Sequence, residues 1–235
     1  MLCDPLRHPA LLAKMAATLD VICEGRLELG LGWGSVESEL VSYGFGAMPA
    51  AERAGRLGET LKILELMFSG QPFSFEGRHF RLHDAVGRPT PVQGRVPIHL
   101  GGAGARLTMP LVAAHADWWN CPAYGVEALD RLAPLAGRAR VSVQHPVGLA
   151  PSAATRAQVE ELTRRRFGSW GGVVTGTPEE VAAQLSAEVA RGVEMFVVQF
   201  HDFAQPPTLE LFAREVIPRV RAARGDGRPQ APPST

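Results

Sequence analysis

The sequence predicts an α/β fold built on parallel strands. Three observations carry that expectation. Strand and helix signals alternate along the chain, a glycine-rich βα turn sits near its middle, and a late run, MFVVQF at 195–200, is apolar except at Gln199. Five full strands read near residues 27–31, 97–100, 117–121, 140–145 and 195–200. Crossover helices between them leave two architectures open, a doubly wound sheet or a (β/α)8 barrel.

The first residues, 1–3, read as a strand tail. Pro9 then opens a helix at its first position, where a missing N–H costs nothing, and Gly25 stops it. Residues 26–34, RLELGLGWG, alternate leucine with other residues, and glycine at 30, 32 and 34 suggests close approach by a flat ligand or another backbone. Residues 35–48 form a short excursion, and 51–68 a helix with Leu57, Leu61, Leu64 and Phe68 on one face. PFSFEGRHFRL at 72–82 is a hairpin around Glu76-Gly77, and 86–96 a proline-broken loop. PIHLGGAGARLTMPLVAAHADWWN at 97–120 reads as strand, glycine turn, helix near Ala105, strand. Gly101, Gly102 and Gly104 let a ligand reach the backbone. The unpaired N–H groups of the following helix, with Arg106 beside them, would attract phosphate. The alternative is a tight turn that binds nothing.

Further on, 126–135 reads as a helix and 140–150 as a strand in which Pro146 demands an edge or a bulge. A polar helix covers 155–167 and a loop 168–176. Thr177-Pro178-Glu179-Glu180 is a capping box opening a helix, and the last helix starts near Thr208. Residues 1–224 form one domain, and 225–235, rich in proline and glycine, a disordered tail.

A chain of 235 residues with 46% hydrophobic content and zero formal net charge gives no electrostatic support to a nucleic-acid or membrane-surface partner. No apolar run reaches membrane-span length. Cys3, Cys23 and Cys121 show neither disulfide nor zinc spacing, which suits a reducing, cytoplasmic setting.

Several stretches together resemble the luciferase-like monooxygenase family, within it the branch that uses the deazaflavin coenzyme F420. They are RHPALLAKMAATLD at 7–20, GRLELGLGWG at 25–34, ESELVSYGF at 37–45, FEGRHFRL at 75–82, PIHLGGAGARLT at 97–108, AAHADWWN at 113–120 and GTPEEVAAQL at 176–185. The resemblance implies a TIM barrel binding F420 or FMN at the C-terminal ends of its strands. It places Gly30, Gly32, Trp33 and Gly34 beside the ring system, and Gly101, Gly102, Gly104 and Arg106 around the cofactor phosphate. It also implies an incomplete barrel, lacking strands 1 and 2, because relatives carry further βα units ahead of the RHPALLAKMA helix.

The implied activity is flavin- or deazaflavin-dependent oxidation or monooxygenation of a small organic substrate, by a homodimer or with a full-length family partner. A non-catalytic or partner-dependent cofactor-binding paralogue is the alternative. His8, at a helix start after the first strand, and His145, at a strand end, are the candidate catalytic residues. His201 also lies after a strand end, and no metal-ligand cluster is discernible.

Overall fold

The computed structural model describes residues 1–225. From residue 226 onward, the expected tail lies outside the described residues. The chain clusters into two compact units, Met1–Asn120 with Arg131–Arg140, and Cys121–Asp130 with Val141 onward.

The first unit contains β1 (Leu2–Cys3), α1 (Pro9–Ile22), β2 (Leu29–Gly32), α2 (Glu37–Ser42), α3 (Ala50–Phe68), β3 (Phe73–Glu76) and β4 (Arg81–Ala85). It continues through β5 (Ile98–Gly101), α4 (Thr108–His115) and the start of β6 (Trp118–Cys121). Strands β1, β2, β5 and β6 pair in that order, all parallel. Because side chains alternate along a strand, register fixes two faces. Leu2, Leu31, Leu100 and Trp119 lie in one row, and Leu29 with Ile98 in the next. All but Leu2 are buried and supply apolar core. The opposite face carries Gly30, His99 and Trp118 in one row, with Cys3, Gly32, Gly101 and Asn120 nearer the C-terminal ends.

Helix α3 buries Leu57, Leu61, Leu64 and Phe68, as the periodicity predicts, and extends the stripe one turn upstream to Arg53. The hairpin β3–β4 has a wider turn than Glu76-Gly77 suggests. The Glu59 carboxylate accepts the N–H groups of Arg78, His79 and Phe80 at 2.8, 2.9 and 3.0 Å and holds it. Asp20, fully buried on α1, does the same for the loop at 86–96. Its Oδ2 accepts from Val92 N–H at 2.8 Å, and its Oδ1 from Gln93 Nε2 at 2.8 Å.

After a 3-10 stretch, Ala123–Ala128, comes the short helix α5 (Leu129–Leu132), which replaces the single helix expected over 126–135. The second unit then holds β7 (Arg140–Leu149) from Val141 on, α6 (Arg156–Phe167), β8 (Val174–Gly176), α7 (Pro178–Val189), β9 (Val193–Phe200), α8 (Pro206–Leu211) and α9 (Ile217–Ala223). Strand β7 pairs in parallel with β9 over Val141–Val147 and with β8 over Val147–Leu149. Val147, Leu149, Val174, Val181, Leu185, Phe200 and Val216 form its core. The Thr177 capping box is present, with Thr177 N–H donating to Glu180 Oε2 at 2.9 Å.

Other expectations need correction. Strand β8 lies inside the expected loop 168–176, too short to show a period. Pro146 stays in the ladder opposite Gln199, and the irregularity falls at Val141/Ser142. Strand β9 is not covered on both faces, since Val197 is exposed. Seven strands thus take part in parallel pairing among the described residues, two more than the five read from the sequence.

Asp20→Ala should destabilise the protein by about 1–3 kcal/mol, because it removes the buried carboxylate that accepts from the Val92 N–H and the Gln93 amide and so anchors the 86–96 loop. Urea denaturation monitored by circular dichroism reads the change.

Candidate functional site

At the C-terminal ends of β2 and β5 the backbone is nearly bare. A Cβ placed on Gly32 would meet nothing within 4 Å, so that position opens onto free space. Over Gly30 and Gly101 the nearest atoms belong to the side chain of Met1, 3.2 and 2.5 Å from the positions a Cβ would take, with the Met1 backbone 3.5 Å from the first and the Asn120 carbonyl 3.9 Å from the second. Met1 is itself 60% exposed, a flexible cover rather than a wall. Gly34 and Gly102 have φ of +83° and +127°, which L side chains rarely adopt.

The helix after the glycine turn starts at Thr108, later than the expected Ala105. Thr108 and Met109 N–H groups donate back to the Gly104 carbonyl at 2.9 and 3.1 Å. This leaves the N–H groups of Ala105, Arg106 and Leu107 without a hydrogen bond among the described residues. Ala105 and Arg106 are exposed there. Unpaired N–H donors at the start of a helix are the kind of group that attracts anions.

The two glycine segments, 70 residues apart in the chain, are joined by one side-chain bond. Trp33 Nε1 donates to Thr108 Oγ1 at 3.1 Å. Behind it, the buried Arg53 guanidinium lies 5.2 Å from the Trp33 ring centroid and donates to the Met48 carbonyl. Trp119 Nε1 donates to the Gly102 carbonyl at 2.8 Å and fixes the turn from below. Sequence reasoning missed Thr108 and Arg53. Thr108 carries no signal, whereas Arg53, four residues before Leu57 on the apolar stripe, is a cation where the period calls for a buried residue.

Toward the N-terminal ends of the same face, His99 stacks on Trp118 with centroids 5.5 Å apart and pairs with Glu28 at 2.5 Å. Arg140 covers the other side of Trp118 at 4.0 Å.

The two catalytic candidates are placed differently. His8 is the N-cap of α1; its Nδ1 accepts the Ala10 N–H at 3.3 Å, and its ring is exposed against Phe80. That bond puts the ring proton on Nε2. His145 is buried within the second unit, with Nδ1 at 2.5 Å from the Gly172 carbonyl and Nε2 at 2.8 Å from Glu188. Both nitrogens are engaged. Gly172 is itself wedged against the Ala123 carbonyl, so His145 ties a turn to α7. Nearby, burial pushes the Cys121 thiol up to about 12, and the Glu188 charge adds to the effect, which makes it a poor nucleophile.

Asp4, directly after β1, is a buried carboxylate the sequence reading passed over. Burial raises its pKa, opposed by Thr60 and by Arg56, whose Nε is 3.7 Å away. A carboxyl whose folded pKa is raised weakens the fold as pH climbs through that pKa. Asp4→Asn should therefore raise the melting temperature at pH 7. The gain should fade as pH falls toward the unfolded value of 3.8, as a pH series of thermal melts will read.

With this geometry in hand, relatives are informative. An uncharacterized protein of Mycobacterium tuberculosis (strain ATCC 25618 / H37Rv) is 32% identical over 116 residues. That match covers 49% of this chain and 40% of the relative, so the chain is matched to under half the length of such relatives. The F420-dependent glucose-6-phosphate dehydrogenase of Nocardia farcinica (strain IFM 10152) is 25% identical, over 92% of this chain and 75% of the relative. An F420-dependent secondary alcohol dehydrogenase in complex with an F420-acetone adduct superposes with a TM-score of 0.81 at 18% identity, covering 94% of this chain and 78% of that one. The oxygenating constituent of 3,6-diketocamphane monooxygenase from Pseudomonas putida, in complex with FMN, gives 0.68 at 22%, covering 92% and 77%. These likenesses establish the luciferase-like α/β barrel type of fold. The family model described as luciferase-like monooxygenase matches residues 2–171. On that match the chain belongs to the luciferase-like monooxygenase family.

Proposed function

We propose that this chain carries the cofactor bed of an oxidoreductase that uses coenzyme F420 or FMN on a small organic substrate. The observation that carries the reading is the bare glycine face ending in three free N–H donors. A flat tricyclic ring needs backbone without side chains, and a phosphate needs converging donors. The glycines on neighbouring strands and the free N–H groups of residues 105–107 support both parts of this reading. The F420-dependent relative and the F420- and FMN-complexed structures support the same cofactor pair.

In this reading Gly30, Gly32 and Gly34 face the ring, and Trp33, held by Thr108 and Arg53, forms its edge. Gly101, Gly102 and Gly104 carry the turn, and the N–H groups of residues 105–107 with Arg106 hold the phosphate. The bound cofactor supplies the redox chemistry, hydride transfer for the deazaflavin or oxygen activation for reduced FMN. The chain's own part is to bind and orient it and to offer a hydrogen bond. His8 keeps an Nε2–H with no partner among the described residues, just after β1, and is the better candidate to hydrogen-bond the reacting oxygen. His145 has no nitrogen to spare.

Fluorescence titration of F420 and of FMN tests the reading. One of the two should bind, and Gly32→Val should weaken it by about tenfold or more while leaving the melting temperature unchanged, since the added side chain meets only open space. No binding of either cofactor, or equal binding by the variant, would overturn it.

A further inference from the structure

We propose that the cleft between α3 and α4, at the N-terminal end of β5, binds a free α-amino acid with an apolar side chain of about leucine size. The site is built from residues of the first unit alone and does not depend on the cofactor reading.

The cleft encloses a cavity of about 260 Å³. It opens where α3 and α4 end and the chain enters β5, at the end of that strand opposite the glycine turn. Drug-sized ligands occupy roughly 300–1,000 Å³, so this volume suits a smaller molecule. Leu64, Phe68, Val96 and Ile98 line it, each at most 6% exposed, and give it an apolar floor. Gly94 lies at its margin with φ of +74°, and a Cβ placed there would meet nothing within 4 Å. The chain entering β5 thus leaves the mouth clear.

The charges around the mouth define the polar end of the ligand. Glu65, Arg95, His115 and Arg138 all line the cavity. Arg95 is committed, since it donates to Asp117 Oδ1 at 2.7 Å and to the His115 carbonyl at 3.3 Å. Burial lowers the His115 pKa, which leaves its ring neutral at pH 7. Glu65 and Arg138 remain. Both are exposed, and neither side chain makes a hydrogen bond or an ion pair among the described residues.

One uncommitted carboxylate and one uncommitted guanidinium above an apolar floor match an ammonium, a carboxylate and a hydrocarbon side chain carried on one carbon. A simple fatty acid would use Arg138 and the floor but set its carboxylate beside Glu65 with nothing to offset that charge. A simple amine would use Glu65 and leave Arg138 unanswered. A zwitterion satisfies both.

The test is a ligand-observed NMR titration of the full chain with L-leucine, 4-methylpentanoate and isopentylamine, which carry the same hydrocarbon with both charges, the carboxylate alone and the ammonium alone. Leucine should bind saturably and more tightly than either analogue. Arg138→Gln should weaken leucine about fivefold and leave isopentylamine unchanged. Glu65→Gln should weaken leucine by a similar factor and remove its advantage over 4-methylpentanoate. Both side chains are exposed, so thermal melts of the two variants should match the unaltered chain. Absence of saturable leucine binding, equal binding of leucine and 4-methylpentanoate by the unaltered chain, or leucine binding that neither variant changes would overturn the proposal. A parallel F420 and FMN titration reads the cofactor bed separately, because neither substitution touches the glycine segments.

Discussion

Strands β2 and β5 carry Gly30, Gly32 and Gly101 on one face, with His99 the side chain among them, and the first unit is organised to tolerate this. Glycine in a strand loses packing and adds flexibility to the unfolded chain. Gly30, Gly32 and Gly101 therefore contribute little to holding the strands together. The opposite face compensates. Leu29, Leu31, Ile98, Leu100 and Trp119 are all buried. One face is given over to adhesion so that the other can stay bare.

The strand ladder keeps the bare backbone in register, and side-chain hydrogen bonds hold the glycine segments that follow the strands. Trp33 reaches Thr108, and Trp119 reaches the Gly102 carbonyl. Asp20 and Glu59 play the equivalent part for the loop and hairpin turn, each gathering N–H groups that no strand or helix would satisfy. Every one of these bonds joins residues at least 17 positions apart. Asp4 is the exception: a buried carboxylate whose nearest cation, Arg56, stands beyond hydrogen-bond distance.

Features that repeat locally were legible in the sequence. The helix period of α3, the Thr177 capping box and the alternation of residues 26–34 all use neighbours within one or two turns. Both glycine clusters were visible, because glycine where a side chain would normally pack demands a reason. The missed features depend on distance in the chain. Strand β8 is three residues long and becomes a strand only by pairing with β7. Thr108 looks like any helix residue until Trp33 is placed beside it. The late start of α4 follows from Gly104, whose carbonyl receives the first helical bonds and leaves a turn of free donors ahead of Thr108.

The histidines show why residue type and strand position are poor guides to chemistry. His8, His99 and His145 all follow or occupy parallel strands, yet each is held by a different kind of partner. His99 is sandwiched between Glu28 and Trp118, and His145 between a carbonyl and a carboxylate. An imidazole with two engaged nitrogens has no lone pair or proton left to offer a substrate without first breaking a bond. His8 uses one nitrogen to cap α1 and so fixes the other as a donor. A helix cap and a hydrogen-bond donor are compatible uses of one ring, since each takes a different nitrogen and the cap sets the tautomer that leaves Nε2–H free to donate.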